Sequence, residues 1–444
     1  MAGITDSGFG ALARDISNRM NYSKRIGALR RRMAGLAGDG EAVSGLLVTH
    51  LPDVRWLCGF TGSSAALAVT RRAVRLFTDG RYTAQAAEEV KGAKVEIVPS
   101  APAVAAVQWL AVQVAASEGS SGAKAPADSA NSMRGLKPPP PSVTGLAAPS
   151  KLSPRSLSKP SPLSDTGSAI SSKAGLVGFD SVHTTVAELE RWKAALPGKL
   201  RRRLLVPVAS PVERLRWLKD EDELVIMAEA AKLGDDLFAH LLGFIRPGLT
   251  EVAVAAELEY QARVRGAEGM SFESIVAAGE RSALPHGRAS QGRLPRRGFL
   301  TLDFGVILKG YCSDMTRTVC LGKPTARERE VYEAVLEAQE SAVNAVIDGA
   351  ECGAVDEAAR GVLRRAGMAE AFSHSTGHGV GLEIHEGPRI GAGQKDLLAP
   401  GMVITIEPGV YFAGEFGVRI EDMVAVTRTG GRVLTGSPKA LIEL

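Results

Sequence analysis

Acidic side chains seldom sit inside apolar β-like runs, yet this chain places four of them there in its last third. Thr301-Leu302-Asp303-Phe304-Gly305 is followed, beyond Lys309-Gly310, by Tyr311-Cys312-Ser313-Asp314-Met315-Thr316. Further on come Val403-Ile404-Thr405-Ile406-Glu407 and Val418-Arg419-Ile420-Glu421. A fold that buries these runs must either pair each carboxylate or gather them around cations. The first two acids can be placed by counting. A two-residue turn at Lys309-Gly310 sets Leu308 opposite Tyr311, Gly305 opposite Asp314 and Asp303 opposite Thr316. Asp303 and Asp314 are then diagonal neighbours on one face, roughly 7–8 Å apart at the backbone. Carboxylates aimed together repel, so the hairpin calls for a cation or a shared proton. Either aspartate alone reads more simply as a turn or edge residue.

Nitrogen donors come from His374-Ser375-Thr376-Gly377-His378-Gly379-Val380-Gly381-Leu382-Glu383-Ile384-His385-Glu386. Glycines flanking His378 allow close backbone approach and leave an imidazole facing an open site. A purely structural role competes for His385. Glu407 and Glu421 each end an apolar strand. Arg419 shares a strand face with Glu421 by its spacing of two, so an Arg–Glu pair is the competing explanation there. Gathered together, Asp303, Asp314, His378, Glu407 and Glu421 offer four carboxylates and one imidazole. Four negative charges balance two divalent cations, and oxygen-rich donors suit manganese, cobalt or iron, with zinc possible and copper disfavoured. A two-metal hydrolase that activates water follows.

At 444 residues the chain exceeds one ordinary domain, and two are expected. Before residue 210 the pattern alternates in the α/β manner. Helix Tyr22–Ala37 leads to the apolar runs Val43–His50 and Ala73–Asp79, then helix Ala84–Val90, strand Val95–Val98 and helix Val104–Ala116. After an interruption come strand Gly175–Asp180, helix Val186–Leu196 and the run Leu204–Ala209. Near Pro211 the texture changes to long helices, Asp222–Ile245 and one capped by Thr250 that reaches Arg265. From Ser271 it becomes strand-rich. The expected organisation is a tail at 1–20, a first domain at 21–210 and a second at 211–444.

The interruption, Ser117–Lys173, holds 9 of the 23 prolines and 15 serines, with no aromatic residue. It reads as a disordered surface insertion within the first domain. Its seven basic and three acidic residues account for the whole net charge of +4, and the rest of the chain is formally neutral. So small a charge argues against a dedicated nucleic-acid binder. No run nears the ~20 apolar residues of a membrane span, and the N-terminus carries acids where a secretory signal starts basic. A cytoplasmic protein is expected. Four cysteines without CxxC spacing read as reduced thiols.

The DFG…YCSDMTRT, HSTGHGVGLEIHE, ITIEPGVY and VRIED stretches resemble the M24 "pita-bread" metallopeptidases: methionine aminopeptidase, aminopeptidase P and prolidase. The likeness spans about residues 213–440 and matches all five ligand positions in order. It implies that Asp303 serves one metal, His378 and Glu407 the other, and that Asp314 and Glu421 bridge. It makes Glu407 the general acid–base. His286 would contact the substrate and steady the intermediate, His374 and His385 would lie around the scissile Xaa-Pro bond, and Arg419 would orient acidic ligands. The stretches Val54–Ser63 and Phe77–Tyr82 look like the creatinase-type N-terminal domain of aminopeptidase P and prolidase. The fold expected is therefore a creatinase-like α/β domain followed by a catalytic domain with a curved antiparallel sheet flanked by helices. The resemblance further implies two divalent ions, manganese first, and a homodimer acting on peptides with proline second, without nucleic-acid or membrane partners. The leading reading is an Xaa-Pro aminopeptidase. Its alternatives are an Xaa-Pro dipeptidase (prolidase), a metal-dependent lyase and, from another class, a non-catalytic pita-bread binding protein.

Overall fold

The computed structural model describes residues 20–38, 41–99, 101–119 and 175–444. Residues 1–19 of the expected tail and nearly all of the Pro/Ser insertion lie outside the described residues; of the insertion, 117–119 are described, as the end of a helix.

The N-terminal part contains α1 (Tyr22–Met33), β1 (Ala37–Gly38), β2 (Glu41–Val48), α2 (Leu51–Cys58), β3 (Ala65–Thr70), β4 (Val74–Asp79), α3 (Thr83–Glu89), β5 (Lys94–Val98), α4 (Pro102–Gly119), β6 (Leu176–Asp180), α5 (Val186–Ala194) and β7 (Leu205–Val208). Its sheet runs β5-β4-β3-β2-β6-β7, with β1 paired to β2. The strands on either side of 120–174 thus join one sheet, β6 lying parallel to β2. Successive side chains point to opposite faces. Leu46 and Leu67 pack under α1 and α2 with Leu29 and Leu57, while Leu47 and Ala68 pack under α4 with Leu110 and Val114. The first helix ends at Met33, short of the expected Ala37, which belongs to the two-residue β1, and two further elements escaped the sequence reading. α2 has only eight residues, too few to display a helical period, and is held by burial of Val54, Trp56 and Leu57. β3 is half alanine, a residue depleted in strands, but the sheet buries it on both faces.

A short helix, α6 (Glu213–Arg216), leads to α7 (Glu221–Phe244) and α8 (Glu251–Val264). α7 opens on a capping box between Asp220 and Glu223, and Thr250 caps α8 as expected. Then come β8 (Gly269–Met270), β9 (Ile275–Ala278), β10 (Gly298–Phe304), β11 (Val306–Leu308), β12 (Tyr311–Cys312) and β13 (Met315–Leu321). Next are α9 (Ala326–Asn344) and α10 (Cys352–Arg365), which the sequence reading passed over inside its strand-rich region. Glycines and histidines dominated that reading, although α9 carries a Thr325–Glu328 capping box and buries Val331, Val335, Ala338 and Ala342 at helical spacing. The chain ends with β14 (Gly377–Gly379), β15 (Glu386–Ile390), β16 (Val403–Ile406), β17 (Gly409–Phe412), β18 (Phe416–Arg419), β19 (Asp422–Thr427) and β20 (Gly430–Val433).

These antiparallel strands form two backed layers. β13-β10-β9 rests on α7 and α8 through Leu237, Leu258, Leu300 and Leu302. β15-β14-β16-β19-β20 rests on α9 and α10 through Val335, Val355, Ile404 and Val424. The hairpin register is the one counted from the sequence: Leu308 faces Tyr311 and Asp303 faces Thr316. Positive φ at Lys309 (49°) and Gly310 (79°) closes its two-residue turn. Among the described residues, no helix is long and apolar enough to cross a membrane.

Candidate metal centre

Asp303 is the last residue but one of β10, Asp314 precedes β13, His378 is on β14, Glu407 follows β16 and Glu421 joins β18 to β19. Five separate chain segments therefore deliver the five side chains, and all line one cavity of about 680 Å³. Asp314, His378 and Glu421 each bring a ligand-type atom within 4.8 Å of the others. Glu407 Oε1 lies 3.5 Å and Asp314 Oδ2 3.6 Å from His378 Nε2. Asp303 is held by Arg419, whose Nη2 donates to its Oδ2 at 2.6 Å. The Arg419–Glu421 pair considered from the sequence is not formed; Glu421 accepts from Thr316 Oγ1 at 2.7 Å instead.

The close backbone approach expected around His378 is present: a Cβ on Gly377 or Gly379 would overlap the carbonyl of Thr405 or Gly387. His378 Nδ1 lies 2.9 Å from the Gly379 carbonyl oxygen, which can only accept. Nδ1 therefore carries the proton, and Nε2 turns a bare lone pair toward Asp314 and Glu407. Burial, with His385 nearby, lowers His378 to about 4, so the ring is neutral at ordinary pH. Its ring meets His385 edge to face at 4.5 Å. Burial first, then the neighbouring carboxylates, raises Asp314 and Glu421 well above the usual range and pushes Glu407 up to about 8. Asp303 Oδ1 and Glu421 Oε1 are buried without a hydrogen-bond partner.

These observations test the fit of a cation. A lone pair and several acceptor oxygens face one another, and among the described residues Arg419 is the only guanidinium that pairs with the group. Divalent cations would satisfy every one of these atoms, so the donor set fits them.

Surrounding residues hold the donors in place. Arg419 Nη1 donates to Tyr411 Oη at 2.6 Å, and Tyr411 Oη lies 2.9 Å from His374 Nε2. His374 Nδ1 donates to the Ser375 carbonyl at 2.8 Å. Both nitrogens of His374 are thus engaged, and burial lowers its pKa to about 4. His286 and His385 are more exposed and line the cavity. From α10, Asp356 accepts from Thr376 N and Oγ1, while the Thr376 carbonyl accepts from Glu407 N at 2.7 Å. The sequence reading missed Tyr411, Asp356 and Thr376, whose partners are distant in sequence. It also missed Arg389, the strand partner of His378, whose exposed guanidinium lines the cavity. The pairing of Arg389 with His378 crosses a register shift after His378, so counting along the hairpin could not have found it.

Known proteins share both the fold and these elements. The family described as metallopeptidase family M24 matches residues 225–428, and the creatinase/prolidase N-terminal domain matches residues 25–127. An uncharacterized peptidase of Bacillus subtilis, YqhT, is 36% identical over 402 residues, covering 90% of this chain and 96% of its own length. The Xaa-Pro dipeptidase from Bacillus anthracis superposes with a TM-score of 0.77 at 34% identity, covering 96% of this chain and 100% of its own. The X-Pro aminopeptidase from Thermotoga maritima gives a TM-score of 0.72 at 29% identity, over 94% of this chain and 99% of its own. Identity at this level, sustained along nearly the whole of both chains, reflects common descent: the protein belongs to metallopeptidase family M24, with a creatinase-like N-terminal domain.

Proposed function

We propose that this protein is an Xaa-Pro dipeptidase, hydrolysing the bond between a first residue and a C-terminal proline with two divalent cations held by Asp303, Asp314, His378, Glu407 and Glu421. The observation that carries the reading is the convergence of these five side chains in one cavity, with bare acceptor atoms facing one another. The sequence reading put the aminopeptidase first. The full-length likeness to a dipeptidase favours the alternative, and so does the cavity wall. A dipeptide substrate ends in a free carboxylate beside the scissile bond, and its recognition needs a cation. Arg288 is engaged with Glu273 at 2.9 Å, whereas among the described residues no ion pair is found for Arg389.

Cations held at the five donors would supply Lewis-acid polarisation of the scissile carbonyl and acidify water for attack. The chain's own residues do the rest. Glu407 takes the proton from the attacking water and delivers it to the proline nitrogen, which cannot leave unprotonated. His286 and His385 steady the developing charge on the carbonyl oxygen. Arg419 fixes Asp303 and, through Tyr411, orients His374. Arg389 receives the proline carboxylate. Manganese is the proposed cation on donor chemistry, and family resemblance supports a homodimer. Four free, buried cysteines are consistent with the cytoplasm.

The test is an assay of the manganese-loaded protein on an Xaa-Pro dipeptide and an Xaa-Pro-Yaa tripeptide, repeated after chelation and add-back. Preferred, cation-dependent cleavage of the dipeptide is expected, and Arg389→Ala should raise its KM by about tenfold. Preference for the tripeptide would install the aminopeptidase reading that the Thermotoga structure supports. Failure on both would overturn Xaa-Pro chemistry.

A further inference from the structure

The segment between the two domains reaches the catalytic cavity through one buried guanidinium. Arg216, on α6, is 1% exposed. Its Nη1 donates to Asp53 Oδ1 of α2 at 2.7 Å, and its Nη2 donates to Glu383 at 2.7 Å and to Glu386. Glu386 is tied further by Lys219 Nζ at 3.2 Å and by the Glu383 amide at 3.1 Å. His50, at the N-cap of α2, reaches the same loop, with Nε2 3.1 Å from Glu383 Oε1. Glu386 directly follows His385, whose ring stands against His378. Among the described residues, none of the creatinase-like domain lines the catalytic cavity.

We propose that Asp53 and Arg216 are positioning residues for catalysis: the N-terminal domain, through Arg216 and Glu386, fixes the 381–388 loop that presents His385 to the substrate. Three features support this. The chain of contacts is continuous from α2 to the residue beside His385. Its links are charge-assisted and buried, so they hold one geometry. The loop itself contains two glycines, Gly381 and Gly387, at or near its ends, so its backbone gains from being held by outside contacts. The proposal rests on the reading of His385 as a substrate-facing group.

The test compares wild type with Asp53→Asn and Glu386→Gln, all loaded with manganese. Hydrogen–deuterium exchange should rise by about tenfold or more in 381–388 while the hairpin 303–316 keeps its protection. On whichever peptide the wild type cleaves, kcat should fall by about ten- to a hundredfold, with KM within twofold and the metal content unchanged. Unaltered exchange at 381–388 overturns the proposal, and so does a loosened loop with wild-type kcat. If Asp53→Asn does not fold, the isosteric Glu386→Gln decides by the same two readouts. A wild type that cleaves neither peptide sinks the Xaa-Pro reading separately, and the exchange pattern then decides the inference alone.

Discussion

Two buried charge clusters lie within one loop of each other and are built on opposite principles. Around Arg216 the chain supplies its own counterions: Arg216, Lys219 and His50 face Asp53, Glu383 and Glu386. Glu383 falls to about 2 and Glu386 is also lowered, because their cationic partners outweigh burial. Around His378, among the described residues, four carboxylates share only Arg419, and three of them are raised instead. Burial is common to both clusters, so it does not explain the difference. What separates them is whether the polypeptide brings cations of its own. A cluster that does is architecture, and one that does not has left room for ions from solution.

That contrast can be broken in order of expected effect. Asp314→Asn should cost several kcal/mol of transition-state stabilisation, about 10³-fold in kcat/KM, while leaving the metal-free protein at least as stable as wild type. Activity together with denaturant unfolding in chelator checks both halves. A destabilised metal-free variant would mean that Asp314 has a structural partner after all. Arg216→Met should do the reverse to stability, removing about 3–5 kcal/mol by stranding three acids. A variant as stable as wild type would show that this network is dispensable.

The smallest effect is the pH dependence of the metal-free protein. Glu407, raised from 4.5 to about 8, keeps a proton in the folded state that the unfolded chain has lost. Its contribution to stability is complete below pH 4.5 and is lost as pH rises through about 8. His50, raised from 6.5 to about 9, contributes with the same sign, fully below 6.5 and lost through about 9. His374 and His378, lowered from 6.5 to about 4, act in the opposite sense but only below pH 6.5. Unfolding measured between pH 6.5 and 9 should therefore show falling stability. Added cations should abolish the part due to Glu407, and His50→Gln should abolish the remainder. A slope indifferent to cations would erase the electrostatic distinction between the clusters.

Much of the site was legible before the fold was known. The Asp303–Asp314 geometry followed from a two-residue turn, because register along a hairpin is set locally and side chains alternate with a period of two. The glycines beside His378 announced close backbone approach, and the structure has it. The start of α8 was readable from its Thr250 cap. α9 and α10 were missed because a regional impression of glycine and histidine overrode the helical period. Arg216 was passed over because nothing local distinguishes it from the Arg214 two residues earlier.

By itself the sequence determined which residue types must share a site. Four acids in apolar strands and a glycine-flanked histidine admit few arrangements that are not metal centres, because desolvated like charges demand a counterion. Only the tertiary structure decided who holds whom. Arg419 grips Asp303 across 116 residues rather than the nearby Glu421, Thr316 supports Glu421 across 105, and Arg216 joins Asp53 to Glu386 across 163 and 170. Such partnerships depend on how separate layers pack, and packing is set by the burial of whole faces, not by any neighbour along the chain.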